Sequence, residues 1–463
     1  MSSPQIVWLR RDLRLADNPA LYHAAKAGPV VAVYVLDDES PRHHAYGGAS
    51  RWWLHHSLAS LAESFAAKGS KLILRRGNAV DELTKLAQEV GATTIHCNRH
   101  YEPWWRKVQG KLADRFDLQC HDGNYLMPPG SITTGSGGQY KIYTPFSRAL
   151  RAELPPRDEL PVPEKLEAPE QWPASDDLAA WNLLPTKPDW AGGLRAFWEV
   201  GEAAAHRRMR WWADHVDNYH DKRNNPSEDK LSRLSPYLHF GEVSPVQVWH
   251  AHKERTSEGW STYEGELIWR DFATNTICQF PDYATRNYRS DFDRFPWRDP
   301  ASDPAAARDL KAWQQGRTGY PVVDAGMRQL WQTGWMHNRV RMITASFLIK
   351  HLLIDWREGE KWFWDCLCDA DYASNATNWQ WVAGTGGDSN MFSRIMAPLS
   401  QSEKFDAARY IREYVPELKH LKDPEIHDPE EHGARPSGYP RKIVPHKQAR
   451  ERALAALKTI KAG

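Results

Sequence analysis

Cysteine is scarce: five residues in 463, at Cys97, Cys120, Cys278, Cys366 and Cys368. An odd and scattered set excludes a disulfide framework and fits a reducing compartment. Only Cys366 and Cys368 are close, as CxC, and zinc sites use CxxC-type pairs with further ligands. They read as two thiols of a packed helix, and no metal is expected. The opening MSSPQIVWLRRD lacks the apolar run of a signal peptide. No stretch is apolar for long enough to span a bilayer. A cytoplasmic protein that does not enter membranes is therefore expected. Neither sign of charge dominates, since 60 Lys and Arg against 59 Asp and Glu leave +1. Such a chain binds nucleic acid only if its basic residues gather on one face. No internal repeat is visible. No GxGxxG follows a strand, so the dinucleotide fingerprint is missing.

Tryptophan, by contrast, is abundant: 23 residues within 11% aromatic. Indoles are large, and a buried one needs a partner for its N–H. So many point to aromatic cores, electron handling or stacking on flat ligands. The length exceeds one typical domain. Residues 1–130 alternate β-branched runs (Ile6 to Arg11, Val30 to Asp37, Lys71 to Gly77, Thr93 to Asn98) with helix-like stretches such as Ser50 to Ala67. That order predicts a parallel, doubly wound, Rossmann-like α/β domain. Residues 131–195, with PPRDELPVPEKLEAPEQWP, read as a proline-rich connector of little regular structure. Residues 196–463 carry apolar residues at helical spacing and predict a larger all-α domain. The basic tail from about Pro436, with a short helix from Gln448 to Lys461, reads as a solvated end.

Four segments carry chemistry. In KLSRLSPYLHFGEVSP, Ser235 before Pro236 marks a helix start, with Ser as N-cap. Ser232, Arg233 and Ser235 there offer hydroxyls and a guanidinium, either as a phosphate cradle or as an ordinary capped helix. YEGELIWRDF sets Glu266 and Arg270 four apart, with Trp269 at i+3 from Glu266. TGWMHNRVRMITASF puts Asn338, Arg341 and Met342 on one helix edge. DCLCDADYASNATNWQWVAGTG spaces Asp371, Asn375 and Trp379 by four, one stripe if helical, with Trp381 turned to the far side.

Taken in order, these segments resemble the cryptochrome/photolyase family over nearly the whole chain. WLRRDLRLADNPAL, GRTGYPVVDAGMRQLWQTGWMHNRVRM and IDWREGEKWFWDCLCDAD extend the match. The resemblance implies an FAD-binding helical domain. By similarity, Tyr219, Ser232, Arg233, Leu234 and Ser235 hold the phosphates and nearby parts. Trp269 and Arg270 line the next wall, Arg341, Asp369 and Asp371 lie around the ring and ribose, and Asn375 faces flavin N5. Contacts to a pyrimidine dimer fall on Glu266, Trp269, Asn338, Met342 and Trp381, the two tryptophans stacking on a flipped-out lesion. Glu266 would also stabilise the charge that develops on it. Arg223, Arg339, Arg394 and Gln401 fall at the DNA-facing rim.

The implied reaction is light-driven repair: reduced FAD lends an electron, the cyclobutane bonds break, and the electron returns. Trp379 and Trp356 match the first members of a tryptophan chain that reduces the flavin. Asn375 and Trp381 favour a cyclobutane pyrimidine dimer photolyase acting on UV-damaged DNA. The alternative is a cryptochrome-type blue-light receptor without repair. Asn338 disfavours the (6-4) subfamily, and the WQW segment differs from the DASH type. The sequence departs from the pattern near Asp303, where a third tryptophan is lacking; Trp313, Trp331 or a tyrosine is the substitute to look for. Leu231 replaces a hydroxyl residue of the cradle. An antenna pigment is implied for the first domain, a methenyltetrahydrofolate, deazaflavin or lumazine, and Trp104 and Trp105 replace the polar pair of some folate binders. A monomer is expected.

Overall fold

In a computed structural model, which describes residues 3–389 and 391–461, the β-branched runs become strands. Gln5–Leu9 (β1), Val30–Leu36 (β2), Leu72–Arg76 (β3) and Thr94–Asn98 (β4) are joined by Asp117–His121 (β5). The order is β3-β2-β1-β4-β5, and every pairing is parallel. β1 and β2 are buried throughout, as apolar central strands of a parallel sheet must be. The sequence reading missed β5. Its residues, DLQCH, are exposed or half-buried at the sheet edge, so no apolar run announces them. Helices Pro19–Ala27, Gly48–Ala67, Ala79–Val90 and Pro103–Ala113 make the crossovers. Asn18 and Asn78 cap two of them through their side chains. Trp8, Val33, Leu83, Trp105 and Leu112 belong to one apolar core of this layer.

Contacts divide the chain into two compact units, neither continuous in sequence. The first holds Met1–Asp217, Ser232–Pro281 and Cys368–Ala373; the second holds Asn218–Leu231, Asp282–Leu367 and Ser374–Gly463.

The first unit adds helices to the sheet. Helix Tyr143–Ala152 lies inside the connector that reads as irregular, and it buries Phe146, Ser147 and Leu150. It packs on helix Glu258–Gln279: Phe146 meets Phe272 at 5.3 Å between ring centroids, and Arg151 Nε meets Glu264 Oε2 at 2.9 Å. Ten residues between glycine- and proline-rich flanks are too few for periodicity to stand out.

The second unit is built of helices, as the sequence predicts. They include Pro304–Gln314, Pro321–Thr333, Asn338–Ser346, Trp356–Cys366, Tyr372–Ala383 and Pro398–Lys404. Asp303 and Asp355 cap the first and fourth of these. Between Ser346 and Trp356 a π-helical turn, Phe347–His351, buries Lys350. Its Nζ donates to the carbonyls of Met391 (2.9 Å) and Arg394 (3.0 Å), and burial pushes the ammonium down to about 7.

The tail is not a solvated end. Tyr439 Oη donates to Asp324 Oδ2 at 2.6 Å, Ile443 N to Thr318 O at 3.0 Å, and Tyr320 Oη to Val444 O at 2.7 Å. Helix His446–Lys461 then buries Ala449, Ala453 and Leu457, a spacing of four that gives it an apolar stripe. No helix of the described residues is long and apolar enough to cross a membrane.

Candidate functional site

The expected site residues fall on both units. In the first, helix Glu258–Gln279 carries Glu266, Trp269 and Arg270, all partly buried. Arg270 points its guanidinium at the carbonyls of Leu238 (3.3 Å) and Asn124 (3.5 Å) rather than at a carboxylate. Its charge is therefore left for another anion. Trp269 lies flat against Tyr143, with centroids 3.5 Å apart and planes 4° from parallel.

The cradle segment turns sharply: Arg233 has φ +49°, and helix Ser235–Phe240 follows. Ser235 does not cap that helix. It is the first helical residue, the capping position belongs to Leu234, and no side-chain cap bond forms. The Ser235 side chain is exposed instead. Leu234 is fully buried, and its N–H faces Ser232 Oγ at 3.5 Å. Ser232 O accepts from Arg208 Nε at 2.7 Å, and the Arg233 guanidinium lies 4.5 Å from the Phe197 ring centroid.

Asp369 and Asp371 close this half. Helix Tyr372–Ala383 begins one residue after Asp371, so Asp371 stands before the helical stripe instead of on it. Its Oδ2 accepts from Arg11 Nη1 at 3.0 Å, and Arg11 also pairs with Glu102. His239 Nδ1 is 3.9 Å from the same oxygen, and both its ring nitrogens are buried without a hydrogen bond. Burial, helped by Arg11, pushes this imidazole down to about 3, so it is neutral at physiological pH. Arg11 comes from the end of β1, and nothing local to Asp371 in sequence announces it.

In the second unit, Asn375 and Trp379 share the stripe that their spacing predicts. Both face helix Trp356–Cys366. Asn375 Nδ2 donates to Glu360 Oε1 (2.9 Å) and Glu360 O (3.3 Å). Both residues are more than nine-tenths buried. With its N–H groups so committed, the amide leaves Oδ1 as an acceptor that bonds to no described residue. Sequence reading missed Glu360. The available signal was a carboxylate inside an apolar stripe: Trp356, Gly359, Glu360, Phe363 and Trp364 recur at i, i+3, i+4, i+7, i+8, and all are buried.

Trp379 is buried against the same helix. A Cβ added to Gly359 would come 2.1 Å from its Cη2. Its ring neighbours are Phe363 at 4.9 Å and Trp313 at 6.3 Å, both edge-on. Trp356 is fully buried and donates Nε1 to Asn287 Oδ1 at 2.8 Å. Trp381 is half-buried, and its carbonyl accepts from Ser389 Oγ at 2.5 Å. About half a helical turn separates these two rings: Trp379 enters the core, and Trp381 is only partly buried.

Helix Asn338–Ser346 presents Asn338, Arg341 and Met342 along one edge, as read. His337 caps it, accepting from Arg339 N at Nδ1 (3.1 Å). Burial, together with Arg339, Arg341 and Arg223, pushes His337 down to about 3. Those three guanidinium groups are thus gathered within one electrostatic neighbourhood. Arg339 meets Asn224 Oδ1 (2.6 Å from Nη2) and the ring of Phe405, not a carboxylate. Tyr219 lies 5.4 Å beneath the Arg223 guanidinium. Arg394 is exposed, beside the carbonyls that Lys350 holds, and Gln401 sits on helix Pro398–Lys404.

Residues 5–168 match the model for "DNA photolyase", and residues 263–459 match "FAD binding domain of DNA photolyase". A deoxyribodipyrimidine photo-lyase of Agrobacterium fabrum is 46% identical, covering 99% of this chain and 98% of its own. The crystal structure of a bacterial class III photolyase from Agrobacterium tumefaciens superposes with TM-score 0.93 at 45% identity, covering 100% and 98%. An archaeal photolyase from Sulfolobus tokodaii, solved with two FAD molecules and discussed for a novel light-harvesting cofactor, superposes with TM-score 0.81 at 29% identity, covering 98% and 100%. With both domain models matched in order and full-length identity of this size, the chain belongs to the cryptochrome/photolyase family.

Proposed function

We infer that the chain is a light-dependent DNA-repair enzyme, a deoxyribodipyrimidine photo-lyase that uses FAD and acts on cyclobutane pyrimidine dimers. The observation that carries the residue-level reading is Asn375. Its amide donates to Glu360 and its oxygen bonds to no described residue, which suits an acceptor for flavin N5–H and has no acidic proton to give. When bound and fully reduced, FAD supplies the photoexcited electron that opens the cyclobutane ring and is then recovered.

The chain's own residues bind and position. Ser232, Arg233, the Leu234 backbone, Ser235 and Tyr219 hold the phosphate side. Arg270, whose hydrogen bonds go to carbonyls and whose guanidinium lies over the Tyr125 ring, adds an anion contact, with Arg341, Asp369 and Asp371 around the ring and ribose. Trp269 and Trp381 each offer a half-buried ring to a flipped base, with Glu266, Asn338 and Met342 at its edges. Arg223, Arg339, Arg394 and Gln401 meet the DNA backbone. Trp379 and Trp356 begin the electron relay to the flavin. Contact with Trp313 supports a branch there, where no tryptophan stands near Asp303. An antenna pigment, folate, deazaflavin or lumazine, belongs to the α/β domain. The protein works as a cytoplasmic monomer, so light scattering should return the mass of one chain.

The test is repair of irradiated oligothymidine by reduced, FAD-loaded protein under blue light. Loss of dimers is expected; a loaded protein that leaves them intact is a light sensor instead. Trp379→Phe should slow photoreduction and spare repair by pre-reduced enzyme. Trp381→Ala should weaken lesion binding and spare photoreduction. The reverse pattern would refute that division of roles.

A further inference from the structure

Tyr143 lies outside the segments on which the sequence resemblance rests, in the stretch whose sequence reads as a loose connector. Its ring makes a nearly coplanar stack with Trp269, centroids 3.5 Å apart and planes 4° from parallel. No other ring pair in the first unit is stacked so closely among those described. Tyr143 Oη donates to Gly265 O at 2.9 Å, one turn before Trp269 on the same helix. Its ring edge meets Phe272 at 5.8 Å. The segment that carries it is pinned to that helix at both ends. Gln279 Nε2 donates to Tyr140 O at 3.0 Å, and Arg151 Nη2 donates to Ser261 O at 3.0 Å. The stack is therefore held and is not a chance rotamer.

The side on which Tyr143 sits follows from helix geometry. At about 100° per residue, Gly265 and Phe272 lie roughly 40° and 60° to one side of Trp269. Glu266 and Arg270 lie roughly 60° and 100° to the other. Tyr143 touches Gly265 and Phe272, so it covers the indole face turned away from Glu266 and Arg270. The face left open is on the Glu266 side. An unsupported indole on a half-exposed helix position samples several rotamers, and ordering it on binding costs affinity. A second ring behind it removes that cost and leaves one usable face.

We propose that Tyr143 is a positioning residue for damaged DNA: it backs Trp269 and fixes the indole as a one-sided stacking platform for the extruded pyrimidine dimer. The proposal rests on the reading of Trp269 as a lesion contact. Tyr143 itself touches no substrate. It acts on the affinity for the lesion, not on the photochemistry.

The experiment measures dissociation constants in the dark, on FAD-loaded full-length protein. The probes are an oligothymidine with one cyclobutane dimer and the same oligomer undamaged. The variants are Tyr143→Leu, Tyr143→Phe and Trp269→Ala. Tyr143→Leu should weaken dimer binding about three- to tenfold, the range of an aromatic pair. Binding of the undamaged oligomer, and the repair rate at saturating dimer, should not change. Tyr143→Phe keeps the stack without the hydroxyl and should stay within about twofold of wild type. The proposal is overturned if Tyr143→Leu leaves dimer affinity unchanged while Trp269→Ala weakens it; the lesion-contact reading then survives alone. It is overturned also if Tyr143→Leu weakens both oligomers equally, or if Tyr143→Phe is as weak as Tyr143→Leu. Unchanged dimer affinity in Trp269→Ala removes the lesion-contact reading, and the proposal falls with it.

Discussion

Two buried carboxylates show how single residues set the behaviour of this protein. Glu360 fixes the flip of the Asn375 amide through two hydrogen bonds. Glu360→Ala frees that amide to turn its NH2 outward, so the acceptor offered to flavin N5–H is lost. Reoxidation of the photoreduced protein in air should then quicken about tenfold, the worth of one hydrogen bond; an unchanged rate in a stopped-flow trace would sink the assignment. Glu242 is fully buried, accepting from Trp53 Nε1 at 3.2 Å and Gly201 N at 3.0 Å. Burial pushes its carboxyl from 4.5 up to about 8. Below 4.5 it is neutral folded or unfolded. Above that the unfolded chain ionises first, so the folded state loses stability until the pH passes about 8. The Tm should therefore fall less steeply across this window in Glu242→Gln than in wild type, as thermal melts at stepped pH would read.

At the scale of elements, helix Trp356–Cys366 is the scaffold on which Asn375 and Trp379 are set. It supplies Glu360 to Asn375, and the bare backbone at Gly359 to Trp379. Gly359→Ala puts a methyl 2.1 Å from Cη2 and 2.5 Å from Cζ3 of that indole, which must move. The cost of such overpacking is about 1–3 kcal/mol. A lower Tm together with slower photoreduction is expected; a normal photoreduction rate would mean that the ring's place does not matter. This element also shows what the sequence made legible. The Asn375–Trp379 stripe follows from a spacing of four, and the central strands from their β-branched runs. Glu360 was hidden because a lone carboxylate in a helix reads as surface until its neighbours' burial is known. Helix Tyr143–Ala152 and β5 were hidden by shortness and polarity. Arg11 was hidden by distance: it stands 360 residues from Asp371, a pairing that only the fold creates.

For the molecule as a whole, a net charge of +1 leaves no general attraction to DNA. Affinity is expected instead from local guanidinium groups such as Arg223 and Arg339, which lie near each other around His337. Among the described residues Arg339 pairs with Asn224 and no carboxylate, so its charge is left to meet a phosphate. Arg339→Ala should weaken damaged and undamaged DNA alike and reduce the slope of log K against log salt by about one; an unaltered slope would remove Arg339 from the DNA face. The two units interleave in sequence, the first closing only with Cys368–Ala373. During synthesis, then, about four-fifths of the chain must leave the ribosome before the unit that begins with β1 has all its parts. The strands of the sheet all emerge early, but the acidic turn that Arg11 holds arrives last. No single cut of the gene separates either unit intact.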